Sequence, residues 1–501
     1  MKPSQEEHVT FWQTVAEALN AGGKTIVGAL SEAKSALAGT DLEKAVASLI
    51  ADVESGKTLS EAMAKRPEVF DERITKAVAA GERGGVMNAV ASLIASALQA
   101  KDLAGLETLL PSPEAIEYVS HLIEKALQAR ASDLHFDQTE RGRGHVRMRI
   151  DGVLHEVDPP AEGTLPKVID YVKVMAAMNV AERRLPQDGQ CATRNYNLRV
   201  STVPAYYGER AVIRILSRET EGILLGLTKL GLSDEDLERV QRFCRLPSGL
   251  VVVNGPTGSG KTTLLYSMLM ELNQPDRAII TVEDPVELTF DRIGQIQIRP
   301  QIGLTFARAL RSMLRQAPNV LMVGEIRDLE TAECVVQAAM TGHLVLTTLH
   351  ANNSVLAIKR ILDIGIQPHL MNSALAGVIS LRLVRRLCSK CKEKTDMPRH
   401  SLPPEAVEFL ASRKDTQFFR PKGCQDCRDT GFSGRTAIFE VLTMNDRLRQ
   451  LIADHADLAA MREAARDGGM TTMLMDGLAK AAQGITSMDE VLRVVPIGAN
   501  A

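Results

Sequence analysis

Ten consecutive residues, Asn254 to Thr263 (NGPTGSGKTT), follow directly on the apolar run Leu250–Val253. The spacing Gly255-x-x-x-x-Gly260-Lys261-Thr262 suits a phosphate cradle, because glycines let successive backbone N–H groups turn towards a β-phosphate at the start of a helix. Pro256, Thr257, Gly258, Ser259 and Thr263 complete a loop expected to bind ATP. Lys261 would place a point charge on the β- and γ-phosphates, and the Thr262 hydroxyl would ligate Mg²⁺. The motif also needs an apolar strand before it and a helix after it, and TTLLYSMLMELN supplies the helical stretch.

Three further constellations follow. In TVEDPVE, Glu283, Asp284 and Glu287 crowd the end of an expected strand, the edge at which open α/β sheets bind ligands. Such carboxylates orient or deprotonate a water for attack on a γ-phosphate. In NVLMVGEIRD an apolar strand ends in Glu325, with Arg327 and Asp328 after it, which places an acid beside Mg²⁺. In TGHLVLTTLH, His343 and His350 bracket another apolar strand, where an imidazole could sense the γ-phosphate. Which of Glu283, Glu287 and Glu325 is the base stays open, with Glu287 favoured for water and Glu325 for Mg²⁺.

The pairs Cys388-x-x-Cys391 and Cys424-x-x-Cys427 carry a different chemistry. Each pair lets two thiolates grip one ion from a tight turn, and two pairs complete a closed S₄ site for structural Zn²⁺. Cys191, Cys244 and Cys334 have no such spacing and read as buried free thiols.

The elements that must position these groups follow from texture along the 501 residues. Residues 1–105 are Ala-rich with helical periodicity, an all-helical domain. Residues 106–225 mix a helix with alternating strand-like segments, a small α/β domain. Residues 226–385 alternate apolar strands with helices, the pattern of a parallel sheet covered on both faces. A tetracysteine module spans 386–430, and a helical region spans 431–501. The net charge of −3 and 4% aromatic residues argue against nucleic-acid binding. A polar N-terminus and the lack of a long uncharged apolar run predict a cytoplasmic protein that meets a membrane only through partners.

In chain order these stretches resemble the secretion ATPase family, the assembly motors of type II secretion systems and type IV pili. The resemblance rests on ASDLHFD, MRIDGVLHEV, ERRLPQDGQ, RVSTVPAYYGERAVIRIL, GPTGSGKTTLLYSML, TVEDPVE, VGEIRDLETAECVVQAAMTGHLVLTTLHAN, GRTAIFEVL and GMTTMLMDGLAKAAQGITSMDEVLRV. It implies a RecA-like core in a homo-hexameric ring. It also implies a preceding smaller α/β (PAS-like) domain that donates arginines to the phosphates, here Arg199, Arg210 and Arg214. Phosphoryl transfer spreads charge over the γ-oxygens, which a guanidinium from a moving domain stabilises on closure. The tetracysteine knob is common in assembly and secretion motors, so export or extension is favoured over retraction. The family usually carries two aspartates where this chain has Ala317 and Asn319 in RQAPNV.

Residues 9–99 resemble a cytoplasmic domain of the inner-membrane platform protein of the same machines, through FWQTVAEALNAGGKTIVGAL, VESGKTLSEAMAKRPEVF and AVAAGERGGVMNAVASLIAS. Gly22, Gly56 and Gly81 are expected to end helices in the left-handed conformation. Two functions stay open on this reading: a motor working on a platform, or a nucleotide-binding scaffold that regulates such a machine without turnover.

Overall fold

The computed structural model describes residues 3–20, 24–85, 87–101, 103, 112–140, 144–192, 196–217, 226–396, 402–412 and 416–495. The chain divides into two compact units, Met1–Glu219 and Thr220–Ala501.

The first unit begins with six helices: α1 (Gln5–Asn20), α2 (Ile26–Ala36), α3 (Asp41–Glu54), α4 (Leu59–Ala64), α5 (Glu72–Gly84) and α6 (Met87–Gln99). Phe11, Trp12 and Phe70 are buried at their centre, with Phe11 and Trp12 edge-on at 4.9 Å between ring centroids. Helix α4 is short and is held at its start from two sides. Thr58 and Glu61 form a reciprocal capping box, and Glu82 of α5 accepts the Leu59 N–H at 2.6 Å and the Ser60 N–H at 3.1 Å. The GKTLS turn and the GERGG end of α5 are therefore one physical joint. Gly56 is left-handed as expected (φ 95°), but Gly81 is not a helix end. It lies inside α5, where a Cβ would come within 2.9 Å of Met87 Sδ, and Gly85 (φ 65°) ends the helix instead. Gly22 lies outside the described residues.

Helix α7 (Pro113–Gln128) leads into β1 (Asp133–Gln138), β2 (Gly144–Ile150), β3 (Val153–Val157), α8 (Leu165–Met175), β4 (Gln187–Ala192), β5 (Tyr196–Ala205) and β6 (Gly208–Ser217). The strands form an antiparallel sheet in the order β3-β2-β1-β6-β5-β4. Alternation sends Leu134, Phe136, Val146, Met148, Leu198, Val200, Ala211 and Ile213 into one apolar cluster that also includes the core of the six helices.

The second unit opens with α9 (Asp234–Arg245) and is built on a seven-stranded sheet. Its strands are β7 (Gly249–Asn254), β8 (Ile279–Glu283), β9 (Ile293–Gln297), β10 (Val320–Val323), β11 (Leu344–Leu349), β12 (Leu375–Leu387) and β15 (Phe432–Thr443). The order is β15-β12-β7-β11-β10-β8-β9, parallel except for β15. The unbroken apolar strands follow from burial on both faces. Leu250 and Val252 enter one cluster while Val251 and Val253 enter another. Helices α10 (Lys261–Leu272), α11 (Phe306–Met313), α12 (Leu329–Met340) and α13 (Ser354–Ile364) connect the strands, and α14 (Pro368–Ala374) precedes β12. The short pair β13 (Glu393–Thr395) and β14 (Phe418–Arg420), with α15 (Pro404–Ala411) between them, flanks the cysteines. Helices α16 (Asp446–Ala453), α17 (Leu458–Asp467), α18 (Met473–Ala482) and α19 (Met488–Val494) close the chain. Among the described residues no helix is long and apolar enough to cross a membrane.

Candidate nucleotide site

The glycine-rich loop joins β7 to α10 as strand, turn and helix. Gly258 (φ 75°) and Gly260 (φ 98°) adopt left-handed backbone that turns the chain into the helix. Gly255 is required by proximity: a Cβ there would lie 2.6 Å from both the Leu381 carbonyl oxygen and Ser259 Oγ. Thr257, Gly258 and Thr262 are exposed, whereas Ser259 is buried and its hydroxyl has no partner. Lys261 folds back on the loop, donating to the carbonyl oxygens of Gly255 at 2.8 Å and Pro256 at 3.0 Å. Burial pushes its pKa down to about 8, and Glu325 pulls it back only in part. A glycine-rich turn with an unpaired hydroxyl and a lysine resting on its carbonyls fits a phosphate group. Asn254, which no motif in the sequence singles out, fixes the base of the loop by donating to Asn353 O (3.1 Å) and Ser380 Oγ (2.9 Å) and accepting from Ala351 N–H (2.7 Å).

Parallel register brings the ends of β8, β10 and β11 to the same sheet edge as the loop. Glu325, two residues beyond β10, pairs with Arg327 and lies 3.7 Å from His350 Nε2. Arg327 also lies 3.9 Å from Asp284. Burial lowers the His350 pKa, helped by the Lys261 and Arg327 charges and opposed by Glu325. Asp328 does not join this group: its carboxylate caps α12 by accepting the Thr331 N–H at 2.8 Å. Glu283 and Glu287 divide into different roles. Glu283 is 4% exposed and accepts hydrogen bonds from Tyr266, from Thr281 Oγ1 (2.6 Å) and from Gln295 Nε2 (3.1 Å), which ties β8 to α10. Its carboxylate is engaged inside the fold. Glu287 is half-buried, and its N–H donates to the Tyr266 hydroxyl at 3.3 Å. Tyr266 thus links the two glutamates.

The position of His343 corrects the expectation that it senses the γ-phosphate. It precedes β11, where its carbonyl accepts the Gly249 N–H at 3.0 Å and its Nδ1 lies 3.0 Å from Ala338 O. That is the opposite end of the strand from His350, roughly 20 Å away at about 3.3 Å per residue. Ala317 and Asn319 also lie at that far edge, just before β10. Asn319 Oδ1 accepts the Ala278 N–H at 2.8 Å at the start of β8. Neither position adjoins the loop: both precede the strand end at which β10 starts, away from Gly255–Thr263.

Arg199, Arg210 and Arg214 lie on the outer face of the first unit's sheet. Arg199 stands opposite Arg214 across β5 and β6. Both line an open cavity of about 460 Å³ with Asp188, Gln190 and Ser201.

The four sulfurs of Cys388, Cys391, Cys424 and Cys427 lie within 4.8 Å of one another, with Cys388–Cys424 at 3.9 Å, Cys391–Cys427 at 3.8 Å and Cys424–Cys427 at 3.7 Å. Tetrahedral zinc with Zn–S bonds of about 2.3 Å requires sulfurs roughly 3.8 Å apart, so this donor set fits Zn²⁺. Cys427 Sγ accepts backbone N–H groups from Cys424 and Gly431, each at 3.2 Å. Burial pushes that thiol up, but these two donors together with the neighbouring Cys424 and Cys391 thiols bring it down to about 7. Of the other cysteines, Cys244 and Cys334 are buried and Cys191 is partly buried, all as free thiols.

Comparison with known proteins agrees with this geometry. The model of the family described as type II/IV secretion system protein matches residues 112–493, and that of type II secretion system (T2SS), protein F, matches residues 11–109. The type II secretion system protein E of Xanthomonas campestris pv. campestris is 44% identical over 402 residues, covering 78% of this chain and 69% of that protein. The type II secretion system ATPase E of Vibrio cholerae serotype O1 is 43% identical over 403 residues, covering 79% and 78%. Among solved structures, the pilus retraction motor PilT with bound ADP is similar with a TM-score of 0.51 and 27% identity, over 75% of this chain and 96% of that one. The ATPase DotB of Legionella pneumophila shares the fold, with a TM-score of 0.54 and 21% identity over 75% and 95%. A glycine-rich loop at the edge of a parallel sheet, followed by Glu325 and His350 just beyond neighbouring strands, is thus set in a chain that belongs to the type II/IV secretion system family of ATPases and begins with a protein F domain.

Proposed function

We propose that the protein is a homo-hexameric, Mg²⁺-dependent ATPase that couples hydrolysis to assembly or secretion by a type II secretion or type IV pilus-like machine. The observation that carries this reading is the convergence of Lys261, Glu325 and His350 on one sheet edge, with Lys261 resting on the loop carbonyls it would leave for a phosphate. In this reading the loop N–H groups and Lys261 hold the β- and γ-phosphates. Thr262 and Glu325 would hold Mg²⁺, which neutralises phosphate charge when bound. Glu287 orients or deprotonates the attacking water, placed by the contact of its backbone with Tyr266. Glu283 sets the distance between β8 and α10. His350, whose pKa burial and the Lys261 and Arg327 charges lower, reports the γ-phosphate to the strand it follows. Arg199, Arg210 and Arg214 supply positive charge to the phosphates when the ring closes. The tetracysteine cluster would hold Zn²⁺ as a structural crosslink between two turns.

The protein F domain serves as a built-in docking or coupling element towards an inner-membrane platform. On this reading the protein works on the cytoplasmic side of that membrane and reaches it through partner proteins. The scaffold reading loses the support it took from Ala317 and Asn319, because both lie at the edge of the sheet away from the loop.

Phosphate release by the full-length protein with Mg²⁺-ATP, with mass by light scattering on the same sample, tests the proposal. Turnover by a hexamer, reduced at least 100-fold or so in Glu287→Gln without loss of ATP binding, is the expected result. ATP binding without turnover in the wild type would leave a scaffold and sink the motor.

A further inference from the structure

Strand β1 alternates Leu134 and Phe136 into the core with Asp133, His135 and Asp137 on the outer sheet face. Antiparallel pairing on both sides then surrounds each aspartate with arginines. Asp133 stands opposite Arg149 of β2 and Arg214 of β6. Its Oδ1 accepts from Arg214 Nε at 3.0 Å, and its Oδ2 lies 3.4 Å from Arg149 Nε. Asp137 stands opposite Arg210 of β6, with Oδ1 2.8 Å from Arg210 Nε, and reaches diagonally to Arg147 Nη2 of β2 at 2.6 Å. The same Arg–Asp–Arg arrangement therefore occurs twice along one strand, with His135 between them and its Nδ1 3.5 Å from Arg210 Nη2.

Two features distinguish these pairs from ordinary surface ion pairs. The carboxylates are the inner members: the side chains of Asp133 and Asp137 are 8% and 20% exposed, against 55% for Arg214 and 43% for Arg210. Each guanidinium is thus anchored from below and offers its outer side to solvent. The charge also does not cancel, because one carboxylate between two arginines leaves each group with a net positive charge. A guanidinium has five N–H donors, so one bond at Nε leaves donors for an anion. An arginine already held at one end loses less rotamer freedom when it meets a phosphate.

We propose that Asp133 and Asp137 are positioning residues that hold Arg214 and Arg210 in the orientation in which they meet the phosphates of the nucleotide. The proposal rests on the reading of those two arginines given above. A merely structural role predicts a different pattern, since ion pairs with a half-exposed member contribute little to stability.

The test is ATP-dependent phosphate release by the full-length protein, with kcat and KM separated, in an assay that resolves residual turnover. The single variants are Asp133→Asn, Asp137→Asn, Arg210→Ala and Arg214→Ala, and the aspartate changes are also combined with each arginine change. The expected result is a drop of roughly 10- to 100-fold in kcat for Asp137→Asn with KM changed less, since a displacement of about 1 Å costs that much. That loss should vanish in the Arg210→Ala background and persist in the Arg214→Ala background, with Asp133→Asn showing the mirror pattern. Equal losses in both backgrounds would make the aspartates general stabilisers and overturn the proposal. So would a wild-type rate in Asp137→Asn alongside a low rate in Arg210→Ala, while leaving the arginine reading intact. Wild-type rates in both arginine variants, or no turnover in the wild type, would overturn that reading and the proposal with it. Should the more buried Asp133→Asn fail to fold by circular dichroism, Asp137→Asn with its two combinations decides the case.

Discussion

Lys261 Nζ donates to the carbonyl oxygen of Gly255 at 2.8 Å, so the loop's lysine closes on the first glycine of its own motif. On the proposed reading nucleotide draws it off that carbonyl, and the exchange is open to measurement.

Replacing this lysine should remove that interaction and the charge together. Lys261→Met is expected to weaken ATP binding about 100-fold or more, and the wild type should bind in a pH-dependent way. The protonated amine is the form that binds phosphate, and bound phosphate raises its pKa above the value of about 8 set by burial. Affinity should therefore be flat below pH 8 and fall as pH rises through 8, by up to about tenfold per pH unit. Calorimetric titrations at pH 7, 8 and 9 check the sign; affinity that rises over this range contradicts the assignment.

The sulfur spacing predicts about one zinc per chain in protein purified without chelator. Cys427→Ser should lose the metal and lower the melting temperature, since a bound metal would crosslink the turns at Cys388 and Cys424. Elemental analysis with a melting curve decides this, and a Cys427→Ser protein with full metal content would exclude the four-sulfur site.

Ala317 sits at φ 49°, left-handed backbone that an alanine adopts at a cost of about 1 kcal/mol. Ala317→Asn should stabilise the protein by roughly 0.5–1 kcal/mol, because Asn tolerates that conformation, while leaving turnover unchanged. Denaturant unfolding and phosphate release on the same variant test both halves.

Glu82 joins α5 to the start of α4 through two backbone N–H groups. Glu82→Ala should destabilise the helical domain by about 1–2 kcal/mol, the cost of losing a helix cap with a buried partner. Hydrogen exchange at Leu59 and Ser60 should then rise, with the ATPase core unaffected; unchanged protection there would remove Glu82 from the joint.

The glycine-rich loop, the apolar parallel strands and the paired cysteines were legible because each depends on local spacing. The turn at Gly258 and Gly260 takes left-handed backbone that glycine adopts without strain, Val251 and Leu250 alternate into opposite layers by strand geometry alone, and a C-x-x-C turn brings two sulfurs together without help. The division of labour among the glutamates was not legible, because Glu283 and Glu287 differ only in what packs against them. Tyr266, on a helix beginning at the loop, buries one and leaves the other half-exposed. His343 and His350 bracket the same strand, and only its direction in the sheet separates them by its full length. Gly81 reads as a helix end in the sequence, whereas the demand for glycine there comes from Met87 and Val90, which pack against it from the next helix. The sequence by itself determined which groups exist and which local shapes they take. Only the tertiary structure decided which of them share an edge, because strand register and helix packing join residues that are far apart in the chain.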